Sequence, residues 1–165
     1  MTEIDFMKYL PDHETLLEST RDVLAGRKSL AQASGMPDHI MKAIFNDAKT
    51  AFAAEDYERS EKLFGLLFQL DGKDRNAQIG YAGSLEAQGK FQEALDIYLM
   101  QTITTPFDPV APFRAGICFM ELGQKKEAKD AFKMASACSK KMAGEPEKLI
   151  YARRADTMLK MFENM

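Results

Sequence analysis

Apolar and small residues recur along the middle of this chain with a spacing of 34: Tyr57, Phe91 and Lys125 occupy equivalent places. So do Ala48, Ala82 and Gly116, and so do Phe64, Tyr98 and Phe132. Within each unit the apolar positions fall at helical spacing, on two helices joined by a short turn. The first unit, about 41–74, runs Ile44-x-x-Asp47-Ala48-x-x-Ala51, turns at Glu55-Asp56, continues as Ser60-x-x-x-Phe64 and leaves through Asp71-Gly72. The second, about 75–108, runs Gln78-x-x-Tyr81-Ala82-x-x-Leu85, turns at Gly89-Lys90-Phe91 and continues as Ala94-x-x-x-Tyr98 to Pro106. The third, about 109–142, runs Pro112-x-x-Ala115-Gly116-x-x-Phe119, turns at Gly123-Gln124-Lys125 and continues as Ala128-x-x-x-Phe132. Small residues let helix backbones approach, and aromatics fill the space between units. A fixed period of this length predicts an all-α stack of helix pairs with a continuous core and a concave surface.

The flanks differ from the units. Residues 1–13 are acidic and unpatterned apart from Phe6, Met7, Tyr9 and Leu10, and read as a flexible arm. Over 14–33 the spacing predicts one helix, with Leu16, Val23 and Leu30 in one row and Leu17, Leu24 and Ala31 in the next. Gly26 weakens that helix, and Ser34-Gly35-Met36-Pro37 ends it. Two adjacent apolar rows need a partner, either a second copy of the chain or the first unit. This divides the chain into 1–13, a dimerising 14–35 and a repeat domain over 36–165. Asp38 is placed to cap the first repeat helix. A last helix over 146–163 starts at Pro146 and caps the stack with one wet face.

Composition narrows the function. At 165 residues, 45% hydrophobic and 28% charged, the chain suits one globular domain. A net charge of −3 lacks the basic footprint of a nucleic-acid binder. Lys125, Lys126, Lys129, Lys133, Lys140 and Lys141 fall on a second helix and its exit, an outward solvated face. Cys118 and Cys138 sit at apolar helical positions with neither metal nor disulfide spacing, as in a reduced cytosolic compartment. No stretch approaches the ~20 apolar residues of a membrane span, and no signal peptide opens the chain. No phosphate loop, HExxH or nucleophile elbow is present, and Asp71-Gly72-Lys73-Asp74 lacks the remaining ligands of a calcium loop. The expectation is a binding protein without cofactor, metal site or catalysis.

The 34-residue pattern resembles tetratricopeptide repeats, which implies three repeats in a short right-handed solenoid between an N-terminal helix and a C-terminal capping helix. Ser60 departs from the alanine of the other units, and Gly72 from the proline at 106. A narrower resemblance rests on Tyr57-Glu-Arg-Ser-Glu-Lys-Leu-Phe, Leu70-Asp71, Tyr81-Ala82-Gly83, Gly89-Lys90-Phe91-Gln92-Glu93-Ala94 and Pro112-Phe113-Arg114-Ala115-Gly116-Ile117-Cys118. Over residues 14–163 the chain is similar to the class II chaperones of bacterial type III secretion. That resemblance implies a bacterial cytoplasmic chaperone for hydrophobic translocator proteins. It implies an extended client segment held in the concave groove, a homodimer through the N-terminal helices and, in some members, a transcription activator as second partner. Direct membrane insertion is not expected.

In such solenoids the first helix of each repeat lines the concave face. Phe45, Lys49 and Phe52 share one face of the first unit. Phe45 and Phe52 match places where the resembled family carries groove aromatics, and Lys49 departs from it. The second unit presents Asn76, Ile79, Gly83 and Glu86, and the third Val110, Phe113, Ile117 and Met120. Gly83 admits a close peptide backbone, and Asn76 can hydrogen-bond one. Each apolar residue has the alternative of core packing. The dimer set is Leu16, Leu17, Val23, Leu24 and Leu30. A generic repeat adaptor is the competing reading, but a carboxylate clamp needs lysine and asparagine on the first helices and a basic pair on the third unit, where this chain has Phe45, Lys49, Gly80 and Val110 and only Arg114 fits.

Overall fold

A computed structural model describes residues 13–138 and 146–163. The helices in chain order are α1 (His13–Leu24), α2 (Leu30–Ala33), α3 (Asp38–Ala53), α4 (Tyr57–Leu70), α5 (Arg75–Ala87), α6 (Phe91–Thr104), α7 (Val110–Glu121), α8 (Lys125–Ala137) and α9 (Pro146–Glu163). The described residues are all helix and connection. Each helix from α3 onward packs on the next, and α3 touches α5 while α7 touches α9. The array therefore stacks three pairs, α3–α4, α5–α6 and α7–α8, with α9 across the end. Tyr57, Phe91 and Lys125 each open the second helix of a pair.

The core follows the period. Ala48 and Ala82 are fully buried, and so are Phe64, Tyr98 and Phe132. Phe64 faces Gly80, where an added Cβ would meet the ring at 2.5 Å. Phe132 faces Gly116, at 2.6 Å. Three clusters succeed one another. Phe64 and Leu67 join Ala48 and Ala77; Leu85, Leu95 and Tyr98 join Ala82 and Cys118; Phe113 and Phe132 join Ala155 of the cap. Ser60, unlike its alanine equivalents, is buried against Ser84, with the two hydroxyl oxygens 2.8 Å apart.

The turns repeat as well. Glu55, Gly89 and Gly123 are equivalent, and all three are left-handed, with φ of 60°, 76° and 76°. Only glycine adopts that conformation without steric cost. In the first pair the non-glycine turn comes with a capped helix, since Asp56 accepts the Arg59 amide at 3.2 Å. Lys90 and Gln124 at the same place make no side-chain cap.

Two expectations are corrected. The single helix over 14–33 is broken: Gly26 takes φ 66°, α1 stops at Leu24, and α2 restarts behind a Ser29–Gln32 capping box. Asp22 accepts Arg27 and Lys28 at 2.8 Å each, which ties the loop back onto α1. Asp38 is the first helical residue rather than the cap, a position held by Pro37. The expected arm over 1–13 lies outside the described residues except for His13, as do Lys140 and Lys141.

The polar hub at the far end is Asp108. Buried, it accepts the Val110 amide at 2.9 Å, and so satisfies the first amide of α7. It also pairs with Arg75 at the start of α5 and with Lys148 at 3.2 Å on α9.

Candidate functional site

An open cavity of about 390 Å³ lies on the face made by α3, α5 and α7. Its walls are Lys49, Phe52 and Ala53 from α3, Ile79, Gly80 and Gly83 from α5, and Val110 and Arg114 from α7. Phe64, Tyr98 and Tyr151 contribute from the second helices and the cap. The lining is predominantly apolar.

Helical spacing explains the set. Lys49 and Phe52 are three apart on α3, as are Gly80 and Gly83 on α5, so each pair shares a face. Phe52 is half in solvent, its ring set edge-on to Tyr57 with centroids 5.3 Å apart. An added Cβ at Gly83 would be 3.8 Å from Phe52 and 3.9 Å from the Tyr98 hydroxyl. The groove is therefore open over bare backbone at that point.

Two polar members of the lining, Tyr98 and Arg114, are joined through Glu86, which is not itself in the lining. Tyr98 donates to Glu86 at 2.9 Å, and Arg114 donates to the other Glu86 oxygen at 3.0 Å. Burial, reinforced by the Glu86 charge, raises the Tyr98 hydroxyl far above its ordinary value, so it stays protonated and a donor. The Cys118 thiol is pushed up to about 12, first by burial and then by Glu86.

The structure brings Lys49, Phe52, Ile79, Gly83 and Val110 to one cavity and places the other candidates elsewhere. Phe45 packs edge-on against Phe64, with centroids 5.6 Å apart, and with Asn76 lines a separate cavity of about 350 Å³. Phe113 is 8% exposed and buried among Phe132 and Tyr151. Ile117 packs half-buried on the same cluster. Glu86 acts through Tyr98 and Arg114. Sequence reasoning missed Tyr98 and Tyr151 as lining. Tyr98 differs from its equivalents Phe64 and Phe132 by a hydroxyl, and a buried hydroxyl needs a partner. Nothing in the periodicity pointed to Tyr151, which reaches the groove from the cap.

Leu16, Leu17, Leu24 and Leu30 are exposed and Val23 is half-buried. Helix α1 rests on α2, and α2 on α4. Lys73 donates to the Gly26 carbonyl at 2.6 Å, which ties this region to the exit of the first pair.

Fold and site together define a helical-repeat scaffold with an open apolar groove, and known proteins share that architecture. No protein-family model matches the chain. It is 24% identical over 136 residues to low calcium response locus protein H of Yersinia pseudotuberculosis, covering 82% of this chain and 79% of that one. Its structure superposes on a type III secretion complex from Aeromonas hydrophila with a TM-score of 0.80, at 22% identity and over 89% of this chain and 96% of the other. It also superposes on the Yersinia enterocolitica type III secretion chaperone SycD, solved with a peptide of the translocator YopD. There the TM-score is 0.69 at 24% identity, over 77% and 94% of the two chains. The chain thus has the fold of the type III secretion translocator chaperones.

Proposed function

We propose that this chain is a bacterial cytoplasmic chaperone for hydrophobic type III secretion translocators, holding an extended client segment in the concave groove until export. The observation that carries this reading is the open, apolar cavity between Phe52, Ile79, Gly83 and Val110, on a fold shared with a chaperone solved with a translocator peptide. Burying one large apolar side chain contributes ~1.5–3 kcal/mol. Three anchors then yield ~5–9 kcal/mol before ordering costs, at most about a micromolar grip, which can be released. Binding rather than catalysis is the function of such a surface.

Co-expression with the chain's own genome, affinity capture and mass spectrometry test this. The expected result is a partner with apolar membrane-spanning segments, lost in Phe52→Ala. Capture of folded cytosolic enzymes alone, unchanged in Phe52→Ala, points to a general adaptor instead.

The N-terminal region serves as the dimer interface in this reading, supported by three exposed leucines on α1 and a fourth on α2, in a region with little packing of its own. Sedimentation of the full chain is expected to give a dimer at micromolar concentration and a monomer for Leu16→Glu plus Leu24→Glu. A wild-type monomer contradicts the interface.

A further inference from the structure

We infer that the groove selects clients carrying an aspartate or glutamate side chain one or two residues from the apolar anchor that seats against Phe52, with Lys49 as the selecting group. This rests on the chaperone reading above and adds a charge requirement to it. Lys49 is exposed on α3 and lines the apolar cavity beside Phe52. Its ammonium stands 6.0 Å from the Phe45 ring centroid, and among the described residues it pairs with no carboxylate. The other cation in the lining, Arg114, is already answered by Glu86 at 3.0 Å. The other Glu86 oxygen accepts the Tyr98 hydroxyl at 2.9 Å. Among the described residues, no carboxylate lines the cavity. One uncompensated positive charge therefore stands at the rim of an otherwise apolar groove.

The spacing sets where the carboxylate must lie. Residues three apart on a helix face are ~5–6 Å apart. Those are Cβ separations, and an extended peptide advances ~3.3 Å per residue, so one or two residues carry it from the Phe52 contact to the base of Lys49, whose flexible stem brings the ammonium to the carboxylate. Beside apolar walls the pair is screened less than in open water.

The test is selection of the full-length protein against a random decamer library with acetylated and amidated ends, so that only side chains supply charge. The expected outcome is enrichment of apolar anchors with an acidic residue one or two positions away. Lys49→Met should keep the apolar enrichment and lose the acidic one, and Lys49→Glu should exchange it for lysine or arginine. A selected peptide is expected to bind about two- to fivefold tighter than its glutamine counterpart, with the difference shrinking in high salt. Apolar enrichment without an acidic preference, or an acidic preference unmoved by Lys49→Glu, overturns the charge requirement and leaves the groove intact. No apolar enrichment that depends on Phe52 overturns the groove reading itself. Lys49 is exposed, so the variants keep the fold, which circular dichroism verifies.

Discussion

Two glycines three residues apart on α5 separate stability from function. A Cβ at Gly80 would overlap the Phe64 ring at 2.5 Å, whereas one at Gly83 finds ordinary contacts at 3.8 and 3.9 Å. Gly80→Ala is expected to cost ~1–3 kcal/mol through overpacking. Gly83→Ala should be neutral or gain up to ~1 kcal/mol from helix propensity. Urea midpoints compare them, and equal losses would contradict the packing described. Tyr98 and Cys118 carry a pH dependence. Both hold their protons more tightly in the folded chain than the ordinary values of 10.0 and 9.0. Their contribution is therefore complete below about pH 9 and declines as the unfolded chain ionises toward pH 12. The melting temperature should fall across that window, and Tyr98→Phe plus Cys118→Ala should flatten the fall. An equally steep fall in the double variant contradicts this assignment.

At the scale of elements, Asp108 joins the starts of α5, α7 and α9. Asp108→Ala leaves Arg75 and Lys148 without their shared carboxylate and the first amide of α7 without its acceptor. It is expected to cost ~3 kcal/mol in urea unfolding, and a loss below ~0.5 kcal/mol would show that these contacts do not set the cap. The repeat helices were legible in the sequence because one helical period recurs in register three times, so each unit corroborates the others. The groove was half legible. Helix phase identified Lys49, Phe52, Ile79, Gly83 and Val110, but it did not separate Phe45 and Phe113 from them. Those two lie near the groove face and are drawn into the core by Phe64 and Phe132. The Ser60 departure was visible, yet its cause, Ser84, lies in another unit and follows no local rule. The break at Gly26 was read as a weakened helix because the leucine rows continue on both sides of it.

At the scale of the whole molecule, the stack has two unequal ends. The C-terminal end is closed by α9, whose Ala152 and Ala155 are fully buried and whose Tyr151 reaches the groove. The N-terminal end presents Leu16, Leu17, Leu24 and Leu30 to solvent, the face proposed above as the dimer interface. Between them the groove is a surface that no residue of the described chain covers. The most direct test of that account is the affinity of the intact protein for the captured client's extended segment, compared with Gly83→Phe, which puts a ring into the open space between Phe52 and Tyr98. Micromolar binding is expected of the wild type and at least ~10-fold weaker binding of the folded variant, a difference of about 1.4 kcal/mol. Equal affinities for the two would place the client elsewhere on the molecule.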